Sequence, residues 1–212
     1  MKKRICILCL LTVFSVGFLS ANVKMNLELG PVYTYFGSRT SSGSGHTSGT
    51  THTGGLNVLF GVEFVKNFGA YVTANFAFGK DYWYKTSYPR SYSGFLNDAT
   101  LTYAIDSQFG FFYVFHPSKN FDLRLGAGLG IGGSGYNKPL SKSQANIGGG
   151  VDLNISYMFT KMIGIYGGVS DTLYAPVYTD TQISSTRSIK DTDVSGKIAN
   201  SLNIKAGIRL VF

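Results

Sequence analysis

Residues 201–212 read SLNIKAGIRLVF, and the phase of this stretch decides the fold. Leu202, Ile204, Ala206, Ile208, Leu210 and Phe212 share one parity, while Asn203, Lys205, Gly207 and Arg209 occupy the other together with Val211. Successive side chains of a β-strand project to opposite faces, so the segment is a strand with one apolar and one polar face.

Toward the N-terminus the same period-two pattern recurs seven times, and helical periodicity is weak throughout. Residues 163–176 align Ile163, Ile165, Val169 and Leu173, with Asp171 intruding at a place that needs a bulge or lies beyond the apolar band. Residues 145–159 set Val151, Leu153, Ile155, Tyr157 and Phe159 against Gly150, Asp152, Asn154 and Ser156. Residues 121–133 set Leu123, Leu125, Ala127, Leu129 and Ile131 against Asp122, Arg124, Gly126, Gly128 and Gly130. Residues 99–115 alternate Leu101, Tyr103, Ile105, Phe109, Phe111 and Tyr113 with Thr102, Asp106, Gln108 and Gly110. Residues 69–80, 55–66 and 23–37 do the same, with Asn75, Glu63 and Glu28 on their polar faces.

Each segment meets the roughly 9–11 residues that a tilted strand needs to cross a bilayer. The connections alternate in length. Lys66 to Phe68, His116 to Asn120 and Thr160 to Met162 are tight turns; Ser38 to Gly54, Asp81 to Asp98, Ser134 to Gln144 and Val177 to Ile198 are long and polar. Four long loops and three short turns join eight antiparallel strands, the pattern of an up-and-down transmembrane β-barrel with both termini on the short-turn side.

Composition agrees. Only 14% of residues are charged, 15% are aromatic and Gly occurs 27 times, which is poor in charge for a soluble domain and too aromatic for a disordered chain. Lys2, Lys3 and Arg4 precede a nearly unbroken apolar run from Ile5 to Leu19, and Ser20-Ala21 supplies small residues for cleavage. Residues 1–21 therefore read as a signal peptide and 22–212 as one barrel domain. Both cysteines, Cys6 and Cys9, fall in the leader, so no disulfide or cysteine site is expected in the mature chain. Losing Lys2, Lys3 and Arg4 lowers the net charge from +8 to +5. With no basic helix in an exported chain, that surplus does not indicate a nucleic-acid partner.

Alternation alone does not say which face is inside, and a soluble eight-stranded barrel of the lipocalin kind also alternates. Charges on the polar parity of most strands, and aromatics at strand ends such as Tyr33, Tyr35, Phe64, Phe68, Phe78, Phe115, Phe121 and Phe159, place the apolar face outward. Ile204, Ala206, Ile208, Leu210 and Phe212 resemble the C-terminal signal read by the outer-membrane assembly machinery. With the size and loop pattern, residues 22–212 resemble small eight-stranded outer-membrane proteins of the OmpX, OmpA-barrel and OmpW kind. The resemblance implies a bacterial outer-membrane location with long loops extracellular and termini periplasmic. It is architectural and carries over no functional residue.

The polar parity puts Glu28, Glu63, Asp106, Asp122, Arg124, Asp152, Lys205 and Arg209 in the lumen, where charges must pair or meet water. Arg124 is expected near Asp122, and strand closure should bring Lys205 and Arg209 near Glu28. The outcome is an ion-pair plug or a narrow polar pathway. Gly126, Gly128, Gly130, Gly148 and Gly150 leave two strands nearly bare inside. They either make room for large residues such as Tyr71, Phe112 or Tyr166 or form a cavity wall, as in OmpW-like channels for small hydrophobic molecules. The run also holds a formal G-x-G-x-x-G at Gly128, Gly130 and Gly133, but no helix follows to receive a pyrophosphate.

The second long loop interleaves Tyr82, Trp83, Tyr84, Tyr88 and Tyr92 with Lys80, Lys85 and Arg90, a candidate surface for host glycans or proteins or for lipopolysaccharide. The first loop, rich in Ser, Gly and Thr, reads as flexible. Its His46 and His52, and the distant turn residue His116, lack a rigid strand-borne partner, so no catalytic triad, metal site or cofactor is expected. The expected function is surface interaction, such as adhesion or host or envelope contact, through the long loops. A narrow channel is the alternative; a lipid A-modifying enzyme fits less well.

Overall fold

A computed structural model describes residues 23–42, 45–86, 92–95, 101–137, 141–184, 187–192 and 196–212; the segment 1–21, expected to be a signal peptide, lies outside them. The strands are β1 (Lys24–Ser42), β2 (Gly45–Val65), β3 (Phe68–Thr86), β4 (Tyr92–Phe95), β5 (Leu101–Ser118), β6 (Phe121–Asn137), β7 (Lys142–Met158), β8 (Ile163–Ser184), β9 (Arg187–Asp191) and β10 (Lys197–Val211). Antiparallel neighbours run β10-β1-β2-β3-β5-β6-β7-β8, and pairing of β8 with β10 closes the ring. This is the eight-stranded up-and-down barrel. Closure pairs every edge, as an all-β structure in hydrocarbon requires.

The parity read from the sequence sorts the two faces. Leu29, Phe60, Val72, Phe109, Leu129, Val151, Ile165 and Ile208 are exposed on the outside, while Glu28, Asn57, Asp106, Arg124, Asp152 and Lys205 are buried inside. At the short-turn rim aromatics form a girdle: Phe68 stacks on Phe111 at 5.7 Å between ring centres, Tyr113 packs edge-on to Phe115 at 4.8 Å, and Tyr157 meets Phe159 at 5.6 Å. Tyr33, Tyr35 and Phe78 mark the other edge of the apolar band. Rings at both margins fit the two polar-apolar interfaces of a bilayer.

The turns are built from local chemistry. Asn67 takes the left-handed conformation at φ 66°, which Asn tolerates, and its N–H donates to Glu63 Oε1 at 3.1 Å. At the β7–β8 turn the Thr160 hydroxyl accepts from the N–H groups of Met162 and Ile163. No bulge accommodates Asp171. It stays on the outer face, where it accepts a hydrogen bond from Asn200 at 2.5 Å.

The loops differ from expectation. The stretch 38–54 is a paired hairpin arm: β1 and β2 stay in register to Ser42 and Gly45. Likewise β3 runs on to Thr86 and pairs with β4, and β8 runs to Ser184 and pairs with β9. These extensions carry mostly small and polar residues on both faces, so the period-two signal vanishes while the strand continues.

Val72 lies in the apolar stretch of β3 between Phe60 and Phe109 and is 48% exposed. Val72→Arg is expected to destabilise the barrel in phospholipid bilayers by about 2–4 kcal/mol, the cost of an arginine at mid-bilayer. Urea unfolding in liposomes measures it, and an unchanged midpoint would contradict a lipid-facing site.

Candidate functional site

The lumen charges assemble across the barrel rather than along single strands. Arg124 on β6 is 1% exposed and grips Glu28 on β1 with two hydrogen bonds, each 2.8 Å. Its guanidinium also lies 3.5 Å from Asp152 on β7, which takes the ammonium of Lys205 on β10. Arg209 reaches Asp122 at 3.3 Å and stands 3.9 Å from Glu28. Thus Arg124 partners Glu28 and Asp152, not Asp122 as its position two residues away suggested, and Lys205 partners Asp152 rather than Glu28. The guanidinium of Arg124 also sits 5.7 Å from the centre of the Phe112 ring. Bidentate, doubly partnered geometry of this kind offsets much of the desolvation cost of a buried ion.

Two of the eight charges stand apart. Glu63 caps the β2–β3 turn through the Asn67 N–H. Asp106 has no cation within ion-pair distance among the described residues; it accepts instead from the Tyr174 hydroxyl, from Ser201 at 3.0 Å and from Asn203 at 2.5 Å. One member was not anticipated: His116 Nδ1 lies 2.7 Å from Asp122 Oδ1. Their positions on facing sides of the β5–β6 hairpin were the available signal.

The inward glycines face side chains. A Cβ on Gly126 would come within 2.9 Å of the Tyr71 ring, one on Gly130 within 2.4 Å of Thr172 Cγ2 and 3.1 Å of Tyr174, and one on Gly150 within 2.3 Å of Gln108 Nε2. A Cβ on Gly128 or Gly148 would instead run into the backbone carbonyl oxygen of Phe109 or Leu173, at 2.2 and 1.9 Å. Tyr71, whose hydroxyl donates to Gln108 Oε1, and Tyr174, which donates to Asp106, take up the width that these bare strands leave, whereas the expected Tyr166 and Phe112 do not face these glycines and Tyr166 donates to Asn57 Oδ1. Leu59, Tyr71, Phe112 and Val114 form an apolar cluster beside the ions, and Phe36, Ala104, Tyr174 and Ala199 form another above them.

At the long-loop rim, Lys80, Tyr82, Trp83, Tyr84 and Lys85 belong to the upper part of β3, and Tyr92 begins β4; Tyr88 and Arg90 lie outside the described residues. Arg39, Ser48 and Lys85 occupy one register row across β1, β2 and β3. Paired residues share a face, so this row continues outward above Tyr33 and Tyr35. His52 is a strand residue, not part of a loose loop: its Nδ1 lies 2.5 Å from the Tyr33 hydroxyl and its ring packs edge-on to Tyr35 at 5.2 Å. His46 lies on the same arm, and His116 is at the opposite rim.

Comparison with known proteins places this architecture. A model of the family described as "Domain of unknown function (DUF2715)" matches residues 18–212. No curated protein matches. Among solved structures, the outer membrane protein OprG from Pseudomonas aeruginosa superposes with a TM-score of 0.61 at 10% identity, over 89% of this chain and 95% of that one. The outer membrane protein AlkL, solved in lipid bilayers, gives 0.54 at 10% identity over 91% of each chain. Neisserial surface protein A gives 0.52 at 12% identity, over 88% and 96%. At these identities the likeness is one of fold.

Removing Arg124 alone would leave Glu28 buried beside Asp152. Arg124→Met is expected to cost about 3–5 kcal/mol, the usual penalty for orphaning a buried charge. Adding Glu28→Leu should recover part of it. Urea unfolding of the refolded barrels in micelles, followed by circular dichroism, reads these and the Glu28→Leu single variant; a loss in the double variant equal to the sum of the two single losses would show that the pair is not coupled.

Proposed function

The chain belongs to the DUF2715 family, and we propose that it is a bacterial outer-membrane protein that acts from its long-loop rim while its lumen stays closed. The observation carrying this reading is the occupied interior, where Arg124, Glu28, Asp152 and Lys205 interlock beside Tyr71, Phe112 and Tyr166. In this reading the long-loop rim is extracellular, the termini and short turns are periplasmic, and the assembly machinery recognises Ile204, Ala206, Ile208, Leu210 and Phe212. No catalytic role is proposed for the histidines: His52 lies among outward tyrosines at one rim and His116 beside Asp122 at the other.

The rim offers a partner chemistry. Arg39 and Lys85 flank Ser48 in one row just above the upper tyrosines, and Trp83 lies two register rows closer to the apolar band. Cations above an aromatic margin suit the phosphates of lipopolysaccharide or another anionic glycolipid, and the paired arms beyond them offer surface to host proteins or glycans.

Planar-bilayer recordings of the refolded protein are expected to show no reproducible conductance steps. Conductance blocked by a small hydrophobic molecule would instead make it a narrow channel. The double variant Arg39→Gln, Lys85→Gln should weaken binding to lipopolysaccharide-containing vesicles by about tenfold or more, at roughly 1 kcal/mol per cation. Flotation assays measure this, and undiminished binding would remove the row from the partner surface.

A further inference from the structure

Above the filled part of the lumen the interior opens again. A recess of about 330 Å3 lies where the upper ends of β1, β7, β8 and β10 meet β9. That size is at the small end of ligand pockets, which span roughly 300–1,000 Å3. Every described residue of its wall is polar or charged, a lining that does not suit an apolar molecule. Thr40 and Thr179 contribute hydroxyls, Gln144 an amide, and Lys142, Lys197 and Asp191 the charges.

The floor is closed. Gln144 donates to Asn146 Oδ1 at 2.6 Å, and below that level the Tyr174–Asp106 hydrogen bond and its neighbours fill the bore. The recess is therefore a blind pocket, not the mouth of a pathway. Its charge is unbalanced. Lys197 lies 2.5 Å from Asp191, whereas Lys142, half-buried at the start of β7, has no carboxylate within 4.0 Å among the described residues. Burial first, and the charge of Lys197 second, hold the Lys142 ammonium below the ordinary lysine range. Lys142 lies beyond the apolar band, five residues above the outward Ile147, so its environment is the pocket and not lipid. A secluded cation beside a second cation is costly without a counter-ion.

We propose that this pocket binds a sugar-sized polyol bearing one carboxylate, sulfate or phosphate, with the anionic group at Lys142. Lys197 supplies a second positive charge, Asp191 accepts from ligand hydroxyls, and Thr40, Thr179 and Gln144 pair with the rest of the ring. A charge-assisted contact fixes the acid group, and hydroxyl-rich walls reject an aliphatic chain. The proposal does not depend on a macromolecular partner at the rim, since all its residues lie within one chain.

Isothermal titration of the refolded barrel in zwitterionic micelles tests this with glucuronate, glucose 6-sulfate and glucose 6-phosphate, against glucose and inorganic sulfate as controls. At least one acidic sugar should bind, and glucose and sulfate alone should bind far more weakly. Lys142→Gln should weaken the acidic sugar by about tenfold to a hundredfold, the worth of one hydrogen bond to a charged group. Lys142→Arg should retain most of the affinity, and the heat-shifted electrophoretic band should confirm that both variants are folded. Competition by core oligosaccharide released from lipopolysaccharide would identify an envelope glycolipid as the source; its absence would indicate a free solute. Equal binding of glucose, binding of sulfate as tight as that of the sugars, indifference to Lys142→Gln in a folded variant, or no binding at millimolar ligand would each overturn the proposal.

Discussion

Ring closure is the constraint on which the rest of this molecule depends. Hydrocarbon offers no hydrogen bonds to a free strand edge, so β1 must find β10 and β8 must complete the circle. Eight strands then enclose a bore only as wide as packed side chains. Whatever the polar parity carries is forced into that bore, away from bulk water. Arg124, Lys205 and Arg209 accordingly meet Glu28, Asp152 and Asp122, and Asp106 survives there only among neutral donors. Inward glycines follow from the same limit, because Tyr71 and Tyr174 need the space that a Cβ on Gly126 or Gly130 would occupy.

Strand count, phase and the outward apolar face were legible from period-two alternation because each strand separates lipid from lumen. Which charges would meet was not. Arg124 and Asp122 share a strand and a face, yet the long side chain of Arg124 crosses the bore to Glu28, 96 residues away. Only closure and the stagger between strands determine which residues lie opposite each other, and neither is written in local pattern. The rim arms were illegible for a different reason. Residues 45–54 are strand with Thr51 and Thr53 buried inside, but they carry Thr, Ser and Gly on both faces where a membrane strand would alternate apolar with polar, so His52 read as a loop residue.

The molecule therefore divides along its axis by what surrounds it. In the apolar band, solvent differs between the two faces and residue choice is strict. Beyond Tyr33 and Tyr35 the residues are mostly polar on both faces, and the chain gains room for cations outside and a polar recess inside. Candidate functional chemistry concentrates in that second zone, as is usual when a rigid scaffold holds variable ends. The central ions hold the scaffold together rather than form an open site.

The Arg124 clamp also bears on how the barrel can come apart. Its partners sit on β1 and β7, and Lys205 ties β7 in turn to β10, so the ions span the seam where the first and last strands meet. Opening that seam within a bilayer would bare strand edges and turn several charges toward hydrocarbon at once. No small excursion relieves one ion while keeping the others paired. Local fraying is thereby confined to the rim arms, and the membrane part opens cooperatively or not at all, which makes the seam a kinetic lock.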